Sequence, residues 1–469
     1  MVSLLNKKRE CDNKYMAAIR KIPLDLQKRY IFNGDTTTLY RRTVRYIQPD
    51  APILTKMIDH KFTPAGNTLV AGVRPMAPNC SIIGQITDAN KRQKIGLFKR
   101  LVSSAIGVGL DLSGTTDPVA VLREFAREAA RVSLLWHRPL RGNMATLSIN
   151  HPRVMDFIQC KNDITQCPEL ALFNISVTVP DSSMVNAASS PLFDAMCTAS
   201  HQSGDPGIIF IDRAQFREGF GVPGEDIVTS VPCSEQFMYE GETCTLGAIN
   251  LDRFVSENGN AFDLADYRET IRYAVSFLDA TIDKLEIPDL AMKRRTQSLR
   301  RIGLGVMGLA NLLMKMSIPY ESEESLALSS LLASTLTKEA EKESIRLGSL
   351  YGTHPYSESR RNITLTCLQP TGGIRRLIDD DGFSIEPFFT EATDISPTFA
   401  VRMAATWQQH IENAVSKTVN LVHDTSVAEI GAIYRIAYSH GCKGITIYRD
   451  GCREGQPIQL GCKDGQCAI

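Results

Sequence analysis

The chain has 469 residues, and Lys plus Arg and Asp plus Glu each total 52. That balance removes the bulk electrostatic argument for a nucleic-acid or membrane-surface binder, and no apolar run of about eighteen residues exists to span a bilayer. The N-terminus turns to charge after "MVSLL" and lacks the apolar core of a secretory signal, so a cytoplasmic location is expected. There the 12 cysteines stay reduced and are too sparse for a disulfide scaffold.

Residues 1–60 mix short helical patterns with charge. Strand-like apolar segments follow at 68–73, 80–86, 107–112, 143–149, 173–179 and 207–211. Amphipathic stretches separate them, such as Pro118 to Leu135 with apolar positions at helical spacing. The alternation implies parallel β-α units. The second half is more helical, with a 3.6-residue apolar period over 264–285 and 321–350. Ser426 and Glu429 form a capping box that opens a helix ending near His440 and Gly441, and the strand "GITIY" follows. The last residues, from about 456, contain little to pack and are expected to form a mobile tail. With no internal repeat and no pooled linker, one compact unit is expected.

Four motifs invite chemistry. "GLGVMG", Gly303 to Gly308, fits G-x-G-x-x-G, but the basic stretch before it is not a strand, so helix packing through small residues is expected rather than dinucleotide binding. "LQPTGGI", Leu368 to Ile374, follows the alternating "RNITLT" and offers backbone N–H groups and the Thr371 hydroxyl as a phosphate cradle, or is an ordinary tight turn. Cys462 and Cys467 sit on a glycine-rich arm suited to thiol exchange; zinc binding with Cys442 and Cys452 is the competing reading. Cys11, Cys160, Cys167, Cys197, Cys367, Cys442 and Cys452 otherwise show no partner at a telling spacing and read as structural.

The fourth is "SVPCSEQ", where Cys233 precedes Glu235 by two. On an extended loop both side chains project to one side. A nearby carboxylate raises a thiol pKa and no histidine lies near in sequence to activate it. Cys233 is therefore poorly set up as a thiolate and suited to one-electron chemistry as a neutral thiol.

The segments "TLVAGV", "NCSII", "SSAIGVGLDLS", "FNISVTVPDSSM", "PCSEQ", "ETCTLGAINL", "RRIGLGVMGLANLL", "RNITLTCLQPTGGI", "GFSIEPFF", "ENAVSKTVNL", "GCKGITIYRDG" and "GCKDGQCAI", in this order, make the chain resemble the catalytic (large) subunit of ribonucleotide reductases. The resemblance implies a ten-stranded α/β barrel of two parallel five-stranded halves, with a finger loop carrying a radical cysteine into its centre. The implied organisation is an N-terminal helical segment over 1–60, the barrel over 61–455 and a redox-active tail over 456–469. It implies that Cys233 forms the thiyl radical that takes the ribose 3′ hydrogen and that Glu235 is the base for the 3′ hydroxyl. Cys80 and Cys244 would reduce the 2′ position and end as a disulfide. Cys462 and Cys467 would reduce that pair and be reduced by thioredoxin or glutaredoxin.

By the same resemblance Asn67, Thr68, Asn79 and Pro370, Thr371, Gly372, Gly373 and Ile374 bind the nucleotide substrate. Asp88, Arg138, Arg141 and Lys161 match effector contacts for a deoxynucleoside triphosphate with Mg2+ at a homodimer interface. The resemblance implies neither a membrane nor direct DNA binding, and no metal site in this chain. The N-terminus is too short for the ATP-cone of many relatives. Val231 stands where the family usually has asparagine. The radical source is expected to be a separate ferritin-like metal subunit, as in the short large subunits of some bacteriophages, with Tyr448 passing the radical on. Adenosylcobalamin is the alternative.

Overall fold

The computed structural model describes residues 35–49, 51–136, 142–165, 167–185, 190–215, 221–378, 382–388 and 394–452. Its strands are β1 (Phe62–Pro64), β2 (Cys80–Thr87), β3 (Gly107–Gly114), β4 (Asn143–Ser148), β5 (Phe173–Val179), β6 (Gly207–Phe210), β7 (Thr243–Asn250), β8 (Ile302–Met307), β9 (Thr418–Leu421) and β10 (Gly444–Arg449). They join in a single 10-stranded sheet.

Strands β2 to β6 pair side by side in chain order, all parallel. A parallel neighbour requires a crossover, and helices Lys91–Ser103, Pro118–Leu135, Val154–Gln159 and Pro191–Ser203 supply them. The second half repeats the arrangement: β7 is parallel to β8 and β9 to β10. Isolated parallel bridges, Leu304 with Thr366 and Leu368 with Val415, carry the pairing from β8 through residues 364–368 to the segment leading into β9. The halves meet antiparallel where Cys80 faces Cys244 and where Gly444 faces Ile209. The first half is the expected five-stranded parallel unit; the second has four strands and the bridged segment 364–368, and the tenth strand, β1, adds antiparallel to β7.

Local sequence explains the elements. Helix Pro118–Leu135 starts where Asp117 accepts from Ala120 N, with proline in the first turn, and buries Val121, Leu122, Phe125, Ala129 and Val132 at helical spacing. Ser426 and Glu429 close the expected capping box on helix Val427–Ser439, and Gly441 ends that turn at φ 82°, where glycine pays no Cβ penalty. The long helices Leu264–Asp283 and Glu323–Tyr351 pack on each other outside the second half. Every residue of β7 and β8 is buried, as strands covered on both faces must be.

Two expectations change. The apolar segment 68–73 holds a 3-10 turn, Thr68–Val70, closed by Ala71 N donating to Thr68 O. "GLGVMG" is strand β8 and its end, not a helix face: Gly303 and Gly305 lie in the barrel wall, and Gly308 caps the following helix at φ 77°. Among the described residues no helix is long and apolar enough to cross a membrane.

Candidate active site

Between β6 and β7 the chain enters the barrel as a finger loop, residues 221–242, with Cys233 at its tip. The tip is a tight turn, not the extended segment expected. Ser234 N donates to Val231 O at 2.9 Å, Val231 N donates to Gln236 O at 3.0 Å, and Ser234 takes φ 59°. Asn413 holds the returning leg, its Oδ1 accepting from Phe237 N at 2.7 Å and its Nδ2 donating to Gln236 Oε1 at 2.7 Å. Ala414 N donates to Glu235 O at 3.2 Å. From the first half, Asn174 Nδ2 donates to Pro232 O at 2.8 Å. At the base, buried Arg301 pairs with Glu242 at 2.6 Å. These tethers tie the tip to both halves of the barrel.

The Cys233 side chain is open to the chamber, yet protein surrounds it closely enough that ionisation is costly. Burial first, and the Glu235 charge second, push its thiol well above the usual range. Glu235 is buried, and burial pushes its carboxyl up to about 7. Among the described residues its Oε2 has no hydrogen-bond partner, so the carboxylate is free to accept a proton from a ligand.

Cys80 and Cys244 face each other across the antiparallel junction of β2 and β7. Residues so placed have Cα atoms about 4.5–5.5 Å apart, inside the window of about 4.4–6.8 Å that a disulfide needs. Both are free thiols here. A hydrogen bond with Cys244, then burial, holds the Cys80 thiol well above its ordinary pKa. Cys244 shares an apolar cluster with Val231, Leu246 and Cys367, with Cys80 packed against it. The structure thus places a protonated thiol, a carboxylate poised near neutrality and a closable dithiol in one chamber. Such a set exchanges hydrogen atoms and two electrons.

The other expected residues divide. Asn79 N donates to Cys244 O and its Oδ1 accepts from Leu246 N, while Asn67 Nδ2 donates to Pro78 O and Ala105 O. Both border the β2–β7 junction, with Thr68 buried beside them. Pro370 to Ile374 follow the segment that bridges β8. Gly372 and Gly373 open a short helical turn after Thr371, whose Oγ1 accepts from Ser384 N at 2.9 Å. Asp88 is exposed and accepts from Thr116 N at 3.1 Å. Lys161 is a correction: its ammonium is buried in an ion pair with Asp205 at 2.6 Å and donates to Phe173 O, so it braces the first half from within instead of facing an effector. Tyr448 lies on β10 opposite Asn420 of β9. Arg138, Arg141, Cys462, Cys467 and Cys11 lie outside the described residues.

A cavity of about 580 Å³ is lined by Asp212, Arg213, Gln215, Glu412, His440 and Lys443 among others, with none of Cys80, Cys233 and Cys244 in its lining. Its polar groups are spoken for. Gln215 bonds both backbone groups of Ile227, Glu412 clamps Arg360, and Lys443 donates to Glu412 O. The chemistry therefore centres on the finger loop. Among the described residues no group of three or more His, Cys, Asp or Glu is placed to hold a metal ion.

The barrel-domain model of ribonucleotide reductase matches residues 185–364 and 383–448, which contain the finger loop, Cys233, Glu235 and Cys244 but not the turn at 370–374. The "Vitamin B12-dependent ribonucleoside-diphosphate reductase" of Mycobacterium tuberculosis (strain CDC 1551 / Oshkosh) is 33% identical, over 81% of this chain and 67% of the relative.

The chain belongs to the ribonucleotide reductases.

The protein of the same name from Thermoplasma acidophilum is 30% identical over 68% of this chain and 52% of the relative. The chain thus spans between half and two thirds of these relatives' length. The solved "Actinobacillus ureae class Id ribonucleotide reductase alpha subunit" superposes with a TM-score of 0.77 at 17% identity, covering 91% of this chain and 96% of that one, which establishes the fold. The expected ferritin-like metal subunit as radical source is overturned, because the relatives at 33% and 30% identity are both named vitamin B12-dependent. With it goes the reason for assigning radical transfer to Tyr448.

Several residues of the site escaped the sequence. Asn413, Gln236 and Asn174 are ordinary amides there, and only pairing across the barrel reveals their tethering. Gly109 of β3 carried a faint signal as the second glycine of a strand-like G-x-G: a Cβ on it would lie 2.0 Å from Ser230 O, so it is where the finger loop passes.

Proposed function

We propose that this reductase uses adenosylcobalamin to convert ribonucleoside diphosphates to 2′-deoxyribonucleotides at Cys233. One observation carries the reading: a thiol kept protonated, open to the chamber and flanked by Glu235, faces a closable Cys80–Cys244 pair. The cofactor fits this arrangement because a neutral S–H yields a hydrogen atom and not a proton. When bound, adenosylcobalamin supplies the radical that removes that atom.

Every other part belongs to the chain. The Cys233 sulfur takes the 3′ hydrogen of the ribose, and Glu235, free at Oε2, accepts the 3′ hydroxyl proton. The 2′ hydroxyl leaves as water. Cys80 and Cys244 give up two hydrogens to the sugar and close as a disulfide, so one water and one disulfide balance each deoxyribose. Cys233 then returns the hydrogen to C3′, which leaves its sulfur as the radical that began the cycle. Backbone N–H groups at Thr371 to Gly373 hold the substrate phosphates, with Asn67, Thr68 and Asn79 bordering the pocket. Cys462 and Cys467 reopen the Cys80–Cys244 disulfide by exchange and are themselves reduced by thioredoxin or glutaredoxin in the cytoplasm.

An effector deoxynucleoside triphosphate with its Mg2+ at a homodimer interface is carried over from the same resemblance; of its expected contacts, Asp88 binds Thr116 beside the start of helix Pro118–Leu135.

The test is direct. Purified protein is given a dithiol and a ribonucleoside diphosphate, with and without adenosylcobalamin. Deoxynucleotide is expected only with the cofactor; no product with it, or equal product without it, refutes the reading.

A further inference from the structure

By spacing in the sequence Cys367 has no partner. The fold seats it fully buried in the cluster that contains Cys244, Val231 and Leu246. On one side it meets the finger loop. A Cβ on Gly303 would lie 2.4 Å from Gln236 Nε2 and 2.6 Å from Cys367 Sγ, so these two atoms converge on the space that glycine leaves. On the other side Cys367 Sγ donates to Gln369 Oε1 at 3.6 Å, and Gln369 Nε2 donates to Gly247 O at 2.7 Å. Gly305 makes that possible, since a Cβ there would sit 2.6 Å from Gln369 Oε1. At the far end Asn413 Nδ2 donates to Gln236 Oε1 at 2.7 Å.

The result is a polar path through an otherwise apolar wall, Asn413, Gln236, Cys367, Gln369, in which Gln236 hydrogen-bonds the Cys367 thiol and its Nε2 also donates to Ile302 O at 3.4 Å. Its ends are informative. Gln236 directly follows Glu235 on the finger loop, and Gln369 directly precedes the turn at 370–374. Buried polar groups need partners, and a missing member leaves its neighbours unpaired at a real cost.

We propose that Cys367 is a positioning residue that sets the finger loop, with Cys233 and Glu235, in register with the phosphate-holding turn at Pro370–Ile374. This rests on the proposed roles of Cys233 and of that turn. The Cys367 thiol is not a reductant in the cycle. Its sulfur couples where the phosphates are held to where the hydrogen is taken, two points whose separation must match one nucleotide.

The test uses the full chain with Cys367→Ala and Cys367→Ser, measuring deoxynucleotide turnover, nucleotide binding by equilibrium dialysis with labelled nucleoside diphosphate, and thermal midpoint. Ala removes the donor; Ser keeps it. Misplacement on the order of 1 Å costs up to about a hundredfold in rate, so kcat of C367A should fall about ten- to a hundredfold while its Kd stays within about threefold. C367S should stay within about threefold of the parent in kcat. A C367A enzyme with parental kcat overturns the proposal. So does a C367S enzyme that fails as badly as C367A, or a loss in C367A wholly accounted for by weaker nucleotide binding. An inactive parent with adenosylcobalamin would defeat the proposed function itself; an active parent beside an equally active C367A defeats the positioning role alone.

Discussion

Glu235→Gln separates the chemistry of the site from its cost. The carboxyl is displaced from 4.5 to about 7 by burial, at about 1.4 kcal/mol per unit. Below pH 4.5 it is protonated in both folded and unfolded chains, and its burial has no electrostatic consequence. As pH rises towards 7 the folded protein retains a proton that the unfolded chain has released, so stability falls across that window. Above pH 7 the folded protein carries the ionised group, at a cost of about 3 kcal/mol. The amide removes the titration. E235Q should therefore match the parent in stability near pH 4 and exceed it by up to about 3 kcal/mol at pH 8.5, which for a chain this size is about 3 °C at roughly 2.1 cal/mol/K per residue. Denaturant and thermal unfolding at the two pH values measure it. Turnover of E235Q should drop about a hundredfold or more with the base gone, and the parent's rate should climb tenfold per pH unit below about 7. A stability offset equal at both pH values would refute the assigned burial of charge, and an active E235Q would remove Glu235 from the reaction.

Cys244→Ser, given substrate and cofactor without a dithiol, should lack the cross-linked Cys80–Cys244 peptide that the parent shows on mass mapping after one turnover; a cross-link from Cys80 to another cysteine at parental yield would contradict the pairing. Gly109→Ala places a Cβ against the Ser230 carbonyl, 2.0 Å away. The overpacked variant should lose about 1–3 kcal/mol of stability, while turnover falls far more, by about a hundredfold, as the tip is displaced. Parental turnover would show that the loop does not need this passage. Lys161→Met strips the buried partner from Asp205 and should cost about 3–5 kcal/mol in denaturant unfolding. The stimulation of turnover by a deoxynucleoside triphosphate should persist in the surviving enzyme. Loss of that stimulation alone, at unchanged stability, would return Lys161 to the effector site.

Much of the barrel was legible because its strands and helices obey local rules. Segments 80–86, 107–112, 143–149, 173–179 and 207–211 are strands apart from the end residues Ile149 and Ile211, and Pro118–Leu135 is a helix to the residue. "TLVAGV" misled because apolar β-branched residues also suit a buried turn, and the 3-10 bonds at Thr68 satisfy its backbone without a neighbour strand. Residues 361–366 alternate like a strand, yet enter the sheet only through single bridges. Cys233, Glu235, Cys80 and Cys244 were named from the sequence. What it could not show was why they cooperate, since the junction that joins Cys80 to Cys244 spans more than 160 residues of chain and exists only once the halves meet antiparallel. The burial of Lys161 was hidden for the same reason: Asp205 is remote in sequence, and a lysine in a polar stretch ordinarily reads as surface.

The two G-x-G strands are the part of the sequence whose meaning changes most. A small α/β barrel normally fills its interior with side chains from the strands themselves. Here β3 offers Gly107 and Gly109, and β8 offers Gly303 and Gly305, on either side of the β2–β7 junction. A Cβ at Gly109 would meet Ser230 O at 2.0 Å and one at Gly303 Gln236 Nε2 at 2.4 Å, both on the finger loop; one at Gly107 would meet Cys80 Sγ at 3.0 Å and Pro232 Cγ at 3.2 Å, and one at Gly305 Cys367 O at 2.5 Å and Gln369 Oε1 at 2.6 Å. The barrel therefore withholds its own side chains along these strands and is filled by the loop that carries the reactive sulfur. Walls of backbone and apolar carbon hold that sulfur still, so "GLG" in β8 serves the site through the space it leaves and not through a phosphate it binds.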